Sequence, residues 1–246
     1  MRTHTDDPAQ RWLLFALCVV TCTVLAVQCA PVLRRATTCE GMQILGDELT
    51  PATAEAYCRY AVQERQKVEA FWGATWREPI RMHVSSAYRI SRALVPGYFG
   101  NRGFLEMPLR GARENTGALL HEIVHIYAPH ANRFLAEGLA VYLHATLVGN
   151  PAFPNLGGNL RHLAVRGLSG VESLEALHSV RTPRPLGTVM DEKTAYIRAG
   201  SFVGFLIKRY GLASFRSLYE TENYAQVYGK SLGTLEQEWR LSLQEK

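Results

Sequence analysis

Residues 121–125 read His-Glu-Ile-Val-His. Two imidazoles four positions apart stand on one face of a helix, close enough to share one metal ion. Glu122 follows the first of them. It can flank such an ion without binding it, where its carboxylate can take a proton from a water. The chain contains 8 histidines in 246 residues. Chance produces the pattern about 0.02 times in a chain of this composition, so a third ligand decides the matter. A catalytic zinc ion commonly has three protein ligands and one open position. The candidate is Glu137, in Phe134-Leu135-Ala136-Glu137-Gly138-Leu139-Ala140. Its surroundings are apolar, and so is the segment with the histidines, through Leu119, Leu120, Ile123, Val124 and Ile126. Histidines and glutamates buried there need partners. One zinc ion on His121, His125 and Glu137 supplies them, and the chemistry it offers is hydrolysis with Glu122 as general base.

Two helices must position these residues. Asn115 or Thr116 can cap the first, which runs to about Tyr127. The turn Pro129–Asn132 breaks it, and the second helix spans Arg133 to Leu147. In an antiparallel pair, Glu137 lies about 7.5 Å into the second helix, level with residue 123 of the first. Packed helices stand about 8–10 Å apart, a gap that two imidazoles, an ion and a carboxylate fill. Gly138 and Ala140 are expected to help the two approach.

Around this pair, residues 31–49 read as a linker. Thr50-Pro51 starts a helix that runs to about Phe71 and stops at Gly73. Pro79–Ser86 alternates as a strand, Tyr88–Arg102 reads as a loop, and Phe104–Leu109 reads as a second strand. Pro108 marks that strand as an edge, against which an extended peptide could pair. Asn150–Gly170 reads as loop with one short helix. Helices are expected over Val171–His178, Lys193–Tyr210 (stopped by Gly211), Leu212–Tyr219 and Thr234–Leu243, with a proline-rich loop at Arg181–Gly187. A helix, a small sheet and then mostly helices make an α+β fold with a small antiparallel or mixed sheet.

HEIVH followed by FLAEGLAVYL resembles the gluzincin branch of zinc metallopeptidases. It is most similar to the peptidase MA-like pattern, HExxH followed by W/F-L-x-E-G-x-A. The stretches TAYIRAGSFVGFLIKRYG and YGKSLGTLEQEWRLSL also resemble the tail of that group. The resemblance covers roughly Cys39 to the C-terminus, with its motifs between 119 and 143. It implies a single zincin-like metallopeptidase domain over 31–246, acting on a peptide or protein substrate. It further implies His121, His125 and Glu137 as zinc ligands and Glu122 as general base. In gluzincins a tyrosine or histidine after the third ligand often stabilises the oxyanion. Tyr196 resembles that residue, and an ordinary amphipathic core tyrosine is the alternative. His130, in the turn between the helices, is a weaker candidate for that role and reads rather as a solvated turn residue. The eleven-residue gap between His125 and Glu137 is shorter than in thermolysin-type or aminopeptidase-type members. No GAMEN-like segment precedes the motif, so aminopeptidase specificity is not implied. The rival reading is an inactive or structural zinc-binding module tethered to a membrane. Intact Glu122 and an open fourth position weigh against it.

The remaining composition sets the class. With 47% hydrophobic and 20% charged residues, the chain is neither a disordered polymer nor a multi-span membrane protein. The net charge of +5 is spread among alternating signs without a basic run, which excludes a nucleic-acid platform. Trp12–Ala30 carries no charge and as a helix would rise about 28 Å. Residues 1–30 therefore read as a signal peptide or an N-terminal membrane anchor, and the protein as exported to the periplasm or the extracellular space. Arg2 and Arg11 before the segment balance Arg34 and Arg35 after it, so charge fixes no orientation. Polar residues near the motif (Arg113, Glu114, His130, Arg133) place it outside a membrane. Of five cysteines, Cys18, Cys22 and Cys29 belong to the apolar segment. Cys39 and Cys58 remain for one disulfide in an oxidising compartment.

Overall fold

The structure is a computed structural model that describes residues 36–94, 103–148, 151–166 and 173–245. The charge-free segment Trp12–Ala30 lies outside them. Among the described residues no helix is long and apolar enough to cross a membrane.

The chain begins with a hairpin where the sequence reads as a linker. β1 (Ala36–Cys39) pairs antiparallel with β2 (Met42–Leu45). Strands of four residues are too short for alternation to stand out, although Met42 and Ile44 both point inward. α1 (Pro51–Trp72) has the ends its sequence predicts. Thr50 Oγ1 accepts from the Thr53 N–H at 3.2 Å, and Pro51 opens the helix. Gly73 closes it at φ 70°, its N–H donating to the Glu69 carbonyl at 2.8 Å. By carrying the chain back along the sheet, α1 lets β3 (Ile80–Ser85) join β2 in parallel.

β4 (Arg92–Leu94) and β5 (Phe104–Pro108) complete a mixed sheet in the order β1-β2-β3-β5-β4. β5 is therefore an inner strand, parallel to β3 and antiparallel to β4, and not the edge strand expected from Pro108. Pro108 is its last residue, opposite Ser85, and occupies the N-cap of the following helix. Its missing N–H thus falls at the end of the ladder. The edge beside β5 is β4, three residues in a stretch that reads as a loop because so short a strand carries no periodic signal.

Cys39 in β1 and Cys58 in α1 are disulfide-bonded across a separation of 19 residues, pinning the hairpin to the helix. A loop of this size corresponds to about 3 kcal/mol of stabilisation. Replacing both cysteines with serine should lower Tm by about 6–12 °C in a thermal melt. An unchanged Tm would mean that the hairpin is held by packing alone.

The rest is helical: α2 (Leu109–Glu114), α3 (Leu119–Tyr127), α4 (Arg133–Leu147), α5 (Leu160–Arg166), α6 (Leu174–His178), α7 (Glu192–Tyr210), α8 (Leu212–Thr221), α9 (Tyr224–Tyr228) and α10 (Leu232–Gln244). Asn115 does not cap the motif helix as expected. It closes the short α2 in the left-handed region at φ 51°, and α3 starts four residues later. α3 lies between α1 and α4 and touches β4 and β5, while α7 packs along α4. Gly138 serves that second contact rather than the approach of α4 to α3. A Cβ there would come within 2.8 Å of the Ala199 carbonyl oxygen on α7. Gly200 and Gly204 of α7 are hemmed in the same way by Val141 and Tyr142. Phe202 continues the core outward, with Phe134 at 5.7 Å and Trp239 of α10 at 6.0 Å between ring centroids.

Candidate metal centre

All nine residues of α3 are buried, His121 and His125 among them. One turn apart, their rings lie 4.9 Å apart and the two Nε2 atoms 3.2 Å apart. α4 brings the third group. Its first turn is capped by Asn132, whose Oδ1 accepts from the N–H groups of Phe134 and Leu135. One turn further in, Glu137 Oε2 lies 3.0 Å from His121 Nε2 and 3.4 Å from His125 Nε2. This buried oxygen accepts no well-directed hydrogen bond. Instead, the three atoms face a common point. Ligands held at zinc distances in a tetrahedron stand about 3.3 Å from one another, and the three separations of 3.0, 3.2 and 3.4 Å match that edge. Among the described residues this is the one group of three or more His, Cys, Asp or Glu gathered closely enough to hold a metal ion. The donor set, two imidazoles and one carboxylate, fits zinc.

Burial alone would push the Glu137 carboxyl up. The His125 and His121 imidazoles outweigh it and hold Glu137 well below the usual carboxylate range. The other oxygen, Oε1, is ion-paired with Arg133 one turn earlier on α4. The same guanidinium lies near the Tyr196 phenol and acts on it electrostatically. Tyr196 lies in the first turns of α7, its ring 6.5 Å from that of His121 and inclined by 16°. Burial first, and the Glu137 charge next, raise its pKa, so the phenol stays a donor. Glu122 is buried on α3, and its Oε1 accepts from Ser91 Oγ at 2.8 Å, just before β4.

The turn between α3 and α4 is fastened from outside. Asn132 N–H donates to His130 Nδ1 at 2.9 Å, so that nitrogen is an acceptor and Nε2 bears the hydrogen. Nε2–H donates to the Tyr219 carbonyl at 2.6 Å. The Tyr219 hydroxyl donates to the Ala128 carbonyl at 2.7 Å, and Asn132 Nδ2 donates to Glu222 Oε2 at 2.8 Å. His130 is therefore a structural pin and not the solvated turn residue expected from its neighbours.

The structure brings His121, His125 and Glu137 together, with Tyr196 ringside and Glu122 on the same helix. Arg133 and Ser91 were not among the sequence candidates. Arg133 was legible, since it precedes Glu137 by four residues on one helix. Ser91 carries no sequence signal, because a β4-to-α3 contact is set by the sheet order.

No protein-family model matches this chain, and no curated protein does. Solved structures do match. An M1 zinc metallopeptidase from Deinococcus radiodurans has a TM-score of 0.50 at 16% identity, over 87% of this chain and 52% of that one. A mutant of that enzyme gives 0.50 at 16%, over 84% and 51%. The chain spans about half the length of these relatives, and the likeness at this identity is one of fold. The chain is thus similar in fold to part of an M1 zinc metallopeptidase.

Proposed function

We propose that this protein is a zinc-dependent peptidase. The observation that carries the reading is the convergence of His121 Nε2, His125 Nε2 and Glu137 Oε2 at tetrahedral spacing, with Glu122 beside them. Three protein ligands leave the open position of a catalytic site, where a structural site has four. When bound there, zinc supplies a Lewis acid and lowers the pKa of water toward about 7. Glu122 takes the proton of the attacking water and later delivers it to the leaving amine. Tyr196, with the Arg133 guanidinium near its phenol, donates its phenol hydrogen to the developing oxyanion. Arg133 holds Glu137 Oε1 and so turns Oε2 toward the imidazoles. Ser91 fixes one oxygen of Glu122 and leaves the other for the proton.

The fold likeness to M1 zinc metallopeptidases supports a peptide substrate. The Cys39–Cys58 disulfide supports an oxidising, exported location, with residues 12–30 as signal or anchor. The test is digestion of a peptide library by the full chain loaded with zinc. Cleavage that a chelator abolishes and added zinc restores is expected, and zinc binding without any cleavage would overturn the reading.

Ser91→Ala should lower kcat on the order of tenfold, leaving KM and zinc content unchanged, because only the orientation of Glu122 is relaxed. Steady-state kinetics with metal analysis checks this. A change confined to KM would assign Ser91 to substrate binding instead.

A further inference from the structure

The loop between α4 and α5 exposes two large apolar side chains, Phe153 at 47% and Leu156 at 60%. Exposure of this kind on a loosely held segment would mean little, but residues 152–158 are tied together by their own hydrogen bonds. Ala152 and Asn155 are buried under it. The Leu156 N–H donates to the Ala152 carbonyl at 2.7 Å, the Gly158 N–H to the Asn155 carbonyl at 2.7 Å, and Asn155 Nδ2 to the Gly158 carbonyl at 3.0 Å. Leu156 is held at φ 48°, a region that non-glycine residues rarely occupy. A loop that spends hydrogen bonds and backbone strain to present apolar groups to water calls for a ligand.

Its position says which ligand. The Phe153 ring stands edge-on to Tyr196 with centroids 5.5 Å apart and planes at 64°. Tyr196 in turn stacks by His121. Adjacent Cα atoms of an extended peptide are about 3.8 Å apart. Phe153 thus stands one ring away from Tyr196, within reach of the side chain of a residue that flanks a bond whose carbonyl faces the Tyr196 phenol.

We infer that Phe153, with the exposed Leu156 three residues on, forms an apolar lip that selects peptides bearing an aromatic or large aliphatic side chain next to the scissile bond. The inference rests on the peptidase reading and names its substrate class. The lip acts on choice of substrate through burial of that side chain.

The experiment compares quenched fluorescent peptides that differ at the two positions flanking the cleaved bond, with Phe, Leu, Ala or Asp, on the zinc-loaded full chain. Wild type should favour Phe or Leu over Ala at one of the two positions by about tenfold or more in kcat/KM. Phe153→Ala should reduce that Phe-over-Ala ratio about tenfold, and Phe153→Leu should retain most of it. Hydrolysis without the preference, or a ratio unmoved by Phe153→Ala, overturns the inference and leaves the peptidase reading standing. No hydrolysis of any peptide overturns both.

Discussion

Glu122→Gln is expected to bind one zinc ion per chain as wild type does while hydrolysing peptides on the order of 10²–10⁴-fold more slowly. The substitution keeps size and shape at a position only 6% exposed. The amide oxygen can still accept from Ser91, so the local packing survives. Only the ability to take up and return a proton is removed. Elemental analysis beside steady-state kinetics reads both halves of the expectation. Wild-type turnover in this variant would remove Glu122 from the chemistry, and loss of zinc would make it a ligand.

Glu137→Gln should act differently, lowering zinc affinity more than about 100-fold and abolishing activity at limiting metal. Changes one shell out from a metal typically cost 10–100-fold, and here the anionic ligand itself is lost. Breaking a buried ion pair can also cost about 3–5 kcal/mol. The loss should be smaller in this case, because Arg133 keeps 23% of its side chain exposed and the amide oxygen can still accept from it. The variant should therefore stay folded by circular dichroism. A folded Glu137→Gln protein with undiminished zinc affinity would contradict the ligand assignment. Together the two variants separate proton transfer from metal binding.

The centre was legible in the chain because it is local. His121, Glu122 and His125 share one helix, and Glu137 lies one short turn away, so helical pitch and helix packing bring the ligands together without knowledge of the rest. The same holds for α1, whose cap residue, proline and closing glycine act within a few positions. What the sequence hid depends on distant pairing. The hairpin of β1 and β2 and the three-residue β4 are stabilised by neighbours in the sheet rather than by their own pattern. Pro108 carries a correct local message, the end of a ladder, that reads wrongly as the edge of a sheet. Gly138 is small for a real packing reason, but its partner is α7, some sixty positions on. Ser91 and the pinning of His130 by Tyr219 are side-chain contacts across the fold, and no spacing rule announces them.

The most direct measurement is a zinc titration of metal-free protein in which bound zinc and peptide hydrolysis are followed together. Activity should rise in proportion to bound zinc and level off at one ion per chain. Hydrolysis already complete before zinc is added, or one tightly bound zinc ion with no hydrolysis, would contradict the account.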